Sequence, residues 1–327
     1  MPAMNSVPAS TRRRRAIGPL LLLPLWLASA CQQPVSELSD PAFERSGTVR
    51  SGELDEISGL QASHRYEDLL WTHNDDGAPR VYAMDHQGRD RGYFDLADAV
   101  NVDWEDMTRM PGPEQDILVL ADIGDNHQRR SRIWLYLVEE PEPGANGRFE
   151  GVQPVLNWIS LRYPDGPRDA ESIAWDPQGQ QLLILSKRDN PPRLYGLDRA
   201  TALSAREADL RFLGEVTGLR PPTEEDRDRF GERTDWVSQP TALSIEGDQA
   251  ALLTYRSLYL FQRQSDQDWP TALNGTPAEI LGPASVQEEA ISYSADGSRL
   301  WVTSEGLRAP LHAIASGAKS VLDPAEP

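Results

Sequence analysis

The sequence contains little cysteine and little lysine. Cys31 is the only cysteine in 327 residues, and Lys187 and Lys319 are the only lysines. A single cysteine excludes an intrachain disulfide, so a disulfide-stabilised scaffold is ruled out. The chain carries 51 acidic residues against 32 lysines and arginines, a net charge of −19. This balance argues against nucleic acid as a partner and favours either a soluble acidic surface or a surface that binds cations.

The sequence also lacks a long hydrophobic run. Its most apolar stretch, Ala16–Leu27, is too short to span a bilayer comfortably, and it follows the positive run Arg12–Arg15. This order is typical of an export signal, which we predict over residues 1–30. The segment holds four arginines and no acid, so its removal would leave a net charge of about −23.

The end of this segment indicates a membrane anchor. The sequence "LASAC", Leu27–Cys31, resembles a bacterial lipobox, in which the cysteine becomes the lipid-modified first residue. We therefore predict lipidation of Cys31 and a flexible tether over residues 31–42. Gln32 after the cysteine resembles the sorting context for the outer membrane, so the predicted location is the cell envelope, lipid-anchored and facing the periplasm. Ordinary signal cleavage after Ala30 is the alternative.

A sustained helical periodicity is absent; only Thr201–Leu210 has the pattern of a short helix. Five segments instead repeat one order of three short apolar strands, each bounded by Gly, Pro, Asp or Asn. The first strands are "EISGL" (Glu56), "EDMT" (Glu105), "ESIAW" (Glu171), "TALSI" (Thr241) and "EAISY" (Glu289). The second strands end in polar residues, which we identify as His73, Asp122, Lys187, Tyr255 and Ser304.

A fourth strand follows each of the first four repeats. These strands are Gly92–Leu96, Leu156–Tyr163, Leu210–Val216 and Ala278–Gly282. The fifth repeat has none, but the unpartnered strand Phe43–Val49 precedes the first repeat and could pair with Leu311–Ala315. Such closure predicts an all-β, five-bladed β-propeller of four-stranded antiparallel blades over residues 43–327. Six blades is the alternative, because residues 217–240 could contain further strands.

The repeat also places acidic residues together. In a propeller the first strand of each blade starts at the face where the second strand ends, so the opening glutamates should surround one mouth of the central channel. Carboxylates this close cannot all stay ionised without neutralisation by protons, arginines or a cation. Oxygen ligands without His or Cys favour Ca²⁺. The predicted metal ligands are Glu56, Asp103, Glu105, Glu171 and Glu289.

Two alternatives stay open for these carboxylates. They could cap strand-edge amides, or they could pair with Arg109, Arg168 and Arg256 as a polar plug of the channel. Strand alternation further predicts that Asp103 shares a side with Glu105, whereas Asp106 points the other way.

Motifs for a catalytic nucleophile are missing. The sequence has no G-x-S-x-G, no P-loop and no dinucleotide fingerprint. The candidates for chemistry are therefore His73 as an acid or base, and Lys187 and Arg188 as cations near developing charge on a phosphate. A salt bridge of Lys187 with Asp189 or Glu171, and a hydrogen bond of His73 with Asp75 or Asp76, are the structural alternatives.

The sequence also resembles a known group. "LLWTHNDDG", "VYAMD", "DWED" and "DIGDN" resemble segments of bacterial β-propellers related to the phytase-like family. More loosely, Asp169–Asn190 is similar in layout to a blade of the calcium-activated nucleotidases. That resemblance implies a central calcium ligated by the strand-opening glutamate, here Glu171, with Glu105 and Glu289 at matching points.

Together these patterns favour a binding or scaffold protein of the cell envelope with an acidic, calcium-binding centre. Its expected partners are the membrane, through the lipid, and a protein or a phosphorylated small molecule. A Ca²⁺-dependent phosphoester hydrolase, similar to phytases or nucleotidases, is the alternative.

Overall fold

A computed structural model describes residues 43–283 and 287–317. The predicted signal peptide, the Cys31 lipidation site and the tether lie outside the described residues. Within the described part of the chain, five mainly antiparallel sheets carry nearly all of the regular structure. No helix in this part is long and apolar enough to cross a membrane.

Each sheet is one blade, and in blades 1 to 4 the innermost strand comes first in the chain. Blade 1 contains β2 Ile57–Ala62, β3 Leu70–Asn74, β4 Arg80–Met84 and β5 Asp90–Ala97. Blade 2 contains β6 Trp104–Met110, β7 Ile117–Asp122, β8 Ile133–Glu139 and β10 Asn157–Arg162. Blade 3 contains β11 Ala170–Asp176, β12 Gln181–Ser186, β13 Arg193–Asp198 and β15 Arg211–Glu215. Blade 4 contains β16 Pro240–Glu246, β17 Gln249–Thr254, β18 Ser257–Gln262 and β19 Ala278–Leu281.

Blade 5 closes the ring with a strand from the start of the domain. It contains β20 Glu288–Tyr293, β21 Arg299–Ser304, β22 Pro310–Ala315 and β1 Glu44–Thr48. Strand β1 pairs antiparallel with β22, with Glu44 opposite Ala313 and Thr48 opposite Pro310, and β20 packs against β2. The fold is therefore a five-bladed β-propeller with the predicted closure.

Apolar side chains fill the interfaces between blades. Five separate clusters of buried residues occur, one at each interface around the ring. Trp71 and Trp104 are fully buried in the cluster between blades 1 and 2, as expected for packing residues. Each pair of neighbouring blades thus shares one apolar layer. Together these layers bury both faces of each sheet, which stabilises the ring.

The structure differs from the sequence prediction in the outer strands. Short parallel strands β9 Val152–Pro154 and β14 Glu207–Asp209 extend blades 1 and 2 to five strands. They are only three residues long, too short to show an alternating pattern. The short helix predicted within Thr201–Leu210 is α1 Arg199–Ser204, and the second half of the predicted range contains strand β14 instead.

Residues 217–240 contain helices rather than further strands, so the six-blade alternative is wrong. Helix α2 Glu224–Phe230 is followed by a 3₁₀ helix, Gly231–Trp236. Thr223 and Asp226 form a reciprocal capping box at the start of α2. A last helix, α3 Trp269–Leu273, lies between β18 and β19.

Candidate functional site

A β-bulge recurs at the start of all five innermost strands and defines the true equivalence between blades. The pairing of each innermost strand with its neighbour skips one residue at this point. The skipped residues are Ser58, Glu105, Glu171, Thr241 and Glu289. A bulge re-aims the side chain that it leaves unpaired, and here it brings three glutamates to one end of the channel.

Glu56 does not belong to this set, which corrects the sequence alignment by two residues. Its equivalent is Asp103 in blade 2, because both lie two residues before the bulge, as does Asp169 in blade 3. Glu56 is exposed, whereas Asp169 is buried. The alignment failed because blade 1 carries Ser58 at the bulge, so a search for glutamates selected the wrong position.

The predicted ligands Glu105 and Glu171 come together with Asp169, which the sequence analysis did not identify. One carboxylate oxygen from each lies within 4.8 Å of the others, and all three residues are buried. Asp169 accepts hydrogen bonds from the Asp125 backbone N–H (2.8 Å) and from Nε of Arg188 (2.5 Å). The D-x-E spacing shared by Asp103/Glu105 and Asp169/Glu171 could have identified Asp169 from the sequence.

A glycine leaves the space that this carboxylate cluster occupies. A Cβ atom at Gly124 would lie 2.1 Å from Oε1 of Glu105 and 2.4 Å from the carboxyl carbon of Asp103. Any larger residue would displace these carboxyl groups. Ser58 donates a hydrogen bond to the Glu105 carbonyl at 2.6 Å and lies 3.3 Å from its Oε2.

Lys187 is a buried cation beside these carboxylates. Its Nζ forms a salt bridge with Glu171 and hydrogen-bonds to the Tyr255 hydroxyl at 2.9 Å. Tyr255 in turn donates to Oε1 of Glu289 at 2.7 Å, and Glu289 shares a hydrogen bond with Glu305. A chain of contacts therefore crosses the channel mouth from blade 3 to blade 5, and the salt-bridge alternative for Lys187 is observed.

Burial and crowding raise the pKa values of these carboxyl groups. Burial, opposed by Lys187, raises the pKa of Glu171 to about 8, and burial together with Glu305 raises the pKa of Glu289 to about 8. Burial, then Glu171 and Asp103, raise the pKa of Glu105 well above its usual value. Burial lowers the pKa of Lys187, but the surrounding carboxylates have the larger effect, so the pKa of Lys187 is raised. Protons therefore neutralise part of the cluster near neutral pH.

Asp106 faces the channel and not away from it, contrary to the alternation rule. Its Oδ2 accepts hydrogen bonds from the backbone N–H of Ile173 (2.9 Å) and of Leu243 (3.4 Å), in blades 3 and 4. Its Oδ1 accepts from the Met107 N–H at 2.8 Å. The bulge at Glu105 interrupts alternation, so Asp106 satisfies free strand edges on two other blades.

The remaining candidates for chemistry are engaged in structural contacts. His73 is fully buried, its Nδ1 lies 3.0 Å from the Asn74 carbonyl, and its ring meets Trp104 edge-on. Burial lowers the pKa of His73 to about 4, which does not suit proton transfer at neutral pH. Arg188 pairs with Asp169 and also contacts Asn126. The predicted catalytic roles draw no support from these contacts.

The arginines named as alternative partners of the glutamates pair elsewhere. Their carboxylate partners are Asp116 and Glu246 for Arg109, Asp165 and Asp189 for Arg168, and Asp226 and Glu279 for Arg256.

A second, more open acidic group contains Glu56. It consists of Glu56, Asp75 and Asp76, of which Glu56 and Asp76 are exposed. Burial, followed by repulsion from Glu56 and Asp76, raises the pKa of Asp75 to about 7. The predicted ligand set is thus divided: Glu105 and Glu171 share one cluster, Asp103 adjoins it, Glu289 lies across Lys187, and Glu56 belongs to the second group.

No protein-family model matches the chain, and no curated protein matches it. Among solved structures, it is similar to "Crystal structure of RRP9 WD40 repeats" (10% identity, TM-score 0.41, 84% of this chain and 99% of that chain). It is also similar to "Structure of U3-55K" (9%, 0.40, 82% and 97%) and to "Crystal structure of Nidogen/Laminin Complex" (12%, 0.40, 77% and 73%). At these values the similarity says nothing about ligand or activity.

Proposed function

We propose that this protein is a binding protein of the cell envelope that holds Ca²⁺ at the carboxylates of Glu105, Asp169 and Glu171. The observation that supports the proposal is the convergence of three buried carboxylate oxygens within 4.8 Å of one another. The donors are all oxygens, which Ca²⁺ accepts in loose geometry and Zn²⁺ does not prefer. The space left by Gly124 allows the carboxyl groups to approach.

The acidic groups at the mouth outnumber the cations paired with them, and this excess of negative charge favours cation binding. Six acidic groups lie at the mouth, and the cations paired with them are Lys187 and Arg188. The acidic groups are Asp103, Glu105, Asp169, Glu171, Glu289 and Glu305. A bound Ca²⁺ would displace the protons that the raised pKa values retain, so binding should strengthen as pH rises.

Thermal unfolding with and without calcium tests the proposal. At about a hundredfold excess over Kd, binding contributes about 2.7 kcal/mol, which corresponds to a rise of about 5 °C for a domain of this size. Glu105→Gln should abolish most of this rise. Glu142→Gln removes an exposed carboxylate paired with Arg65 and should leave the rise intact. A wild-type melting curve indifferent to both calcium and chelator would refute the site.

The location in the envelope is part of the same proposal and rests on the sequence of residues 1–42. Phase partitioning in detergent should place the wild-type chain with the membrane fraction and Cys31→Ser in the aqueous phase. A wild-type chain that partitions to water and lacks acyl mass would contradict lipid anchoring.

A Ca²⁺-dependent phosphoester hydrolase, related to the phytase-like propellers, is the second candidate. A cavity of about 400 Å³ lined by Lys187 and Arg188 lies beside the carboxylate cluster, where a phosphate could meet both cations and a metal. Turnover of nucleotides, phytate or p-nitrophenyl phosphate with calcium, lost in Glu171→Gln, would establish it. Absence of turnover with calcium bound would leave binding as the function.

A further inference from the structure

The segment between blades 3 and 4 forms one wall of a separate cavity. Helix α2 and the 3₁₀ helix do not belong to the blade repeat, yet they enclose about 380 Å³ against blades 4 and 5. This volume lies in the range of small-molecule sites. The lining includes Arg229, Phe230, Arg233, Trp236, Tyr255 and Glu288.

Buried contacts hold this wall in place. The side chain of Arg256 is 1% exposed and forms a salt bridge with Asp226 at 2.5 Å. It also donates to the carbonyl of Pro221 (3.3 Å) and to the hydroxyl of Ser238 (3.2 Å). Asp226 completes the capping box with Thr223. The cavity wall is therefore anchored to blade 4 by a buried ion pair rather than lying loosely on the surface.

The cavity presents unpaired positive charge in an acidic protein. Within residues 43–283 and 287–317, neither Arg229 nor Arg233 has a carboxylate within salt-bridge distance. The Arg229 guanidinium lies 5.1 Å from the ring centre of Phe230, and Arg233 donates to the Gln287 side chain at 3.3 Å. The lining residues in this part of the chain include one acid, Glu288, which is buried.

Aromatic surface lies beside these arginines. Trp236 is 46% exposed, whereas Trp71, Trp104 and Trp269 are fully buried. Phe230 and Tyr255 are partly exposed and complete the aromatic lining. An indole exposed in a cavity leaves apolar surface in contact with water. A flat ligand that covers the ring would bury this surface, which favours binding.

We propose that this cavity binds a small anion with a planar aromatic body, such as an aromatic carboxylate or phosphate. Arg229 and Arg233 supply charge-assisted hydrogen bonds for the anionic group. Trp236, Phe230 and Tyr255 supply the surface for the ring. Tyr255 also contacts Lys187 and Glu289 through its hydroxyl, so the aromatic site adjoins the cation site but does not need an ion in it.

Titration calorimetry with three probes tests the proposal, in chelator so that the outcome is independent of calcium binding. The probes are 2-naphthoate, its neutral analogue 2-naphthylmethanol, and acetate. We expect 2-naphthoate to bind at least tenfold more tightly than either of the others, because only it supplies both the ring and the charge.

Variants locate the site. The double substitution Arg229→Gln with Arg233→Gln should weaken 2-naphthoate at least tenfold and leave 2-naphthylmethanol unchanged, whereas Trp236→Ala should weaken both. Arg227→Gln, on the same helix but outside the cavity lining, is the matched control and should bind as the wild type does. Equal affinity for the charged and neutral probes, no effect of the arginine variants, or no binding of 2-naphthoate at millimolar concentration would each overturn the proposal.

Discussion

At the scale of single residues, the most consequential position is Asp106. It is the neighbour of a candidate ligand, yet its carboxyl group accepts hydrogen bonds from backbone N–H groups of three strands. The innermost strands leave a free edge along the channel, and each buried N–H on that edge needs an acceptor. Elsewhere Ser244 and Ser292 perform the same task for Tyr293 and Ala62.

We predict that Asp106→Asn destabilises the fold by about 1 to 3 kcal/mol, because it replaces one acceptor by a donor facing a buried N–H. Chemical denaturation would measure the loss. Asp116→Asn, at a partly exposed ion pair with Arg109, should change stability by about 0.5 kcal/mol or less. Equal stability of the two variants would show that the channel edge does not depend on Asp106.

At the scale of elements, β1 is the strand on which closure of the ring depends. It covers the edge of β22, and Val49 directly after it is buried against Leu311 and its neighbours. Without β1 the last blade would have three strands and an open edge. The repeat itself predicted this partner, since the fifth unit ended without an outer strand.

Deletion of residues 43–49 should therefore lower the melting temperature by more than about 5 °C, through lost ladder hydrogen bonds and lost burial. Deletion of residues 32–42 should leave it unchanged, because that segment precedes the first strand of the propeller. Circular dichroism melts of the two purified deletions would compare them directly. Equal melting temperatures would show that closure by β1 contributes little.

At the scale of the whole molecule, the acidic channel mouth makes stability depend on pH. Burial raises the pKa values of Glu171 and Glu289 to about 8 in the folded state, against 4.5 for an ordinary glutamate. Between these values the folded chain binds protons that the unfolded chain has released. The contribution of the two groups is therefore fully present below about pH 4.5 and is lost as pH rises through 8, by up to about 1.4 kcal/mol per pH unit for each group.

We predict that the melting temperature in chelator falls between pH 5 and pH 8. Glu289→Gln should reduce the slope, because it removes one of the groups that gain protons on folding. Calcium should also reduce it by replacing protons in the cluster. A melting temperature that rises over this interval, or a slope unchanged in Glu289→Gln, would contradict the raised pKa values.

The sequence alone determined the architecture. The five repeats, the positions of four outer strands and closure by Phe43–Val49 follow from short-range patterns, because the strands show alternating apolar residues and the turns contain Gly, Asp or Asn. The helices of residues 217–240, which exclude a sixth blade, were not predicted. The acidic D-x-E pairs at Asp103/Glu105 and Asp169/Glu171 were equally visible, since spacing along one strand is a local property.

Only the tertiary structure decided which carboxylates meet. A β-bulge is created by pairing with the adjacent strand, so neither the equivalence of Ser58 with Glu105 nor the inward direction of Asp106 is encoded by local alternation. The joining of Asp169 with Glu105, the reach of Lys187 to Tyr255, and the cavity beneath α2 all depend on contacts between blades. Such contacts join residues far apart in the chain, and their geometry is set by the closed ring rather than by any one segment.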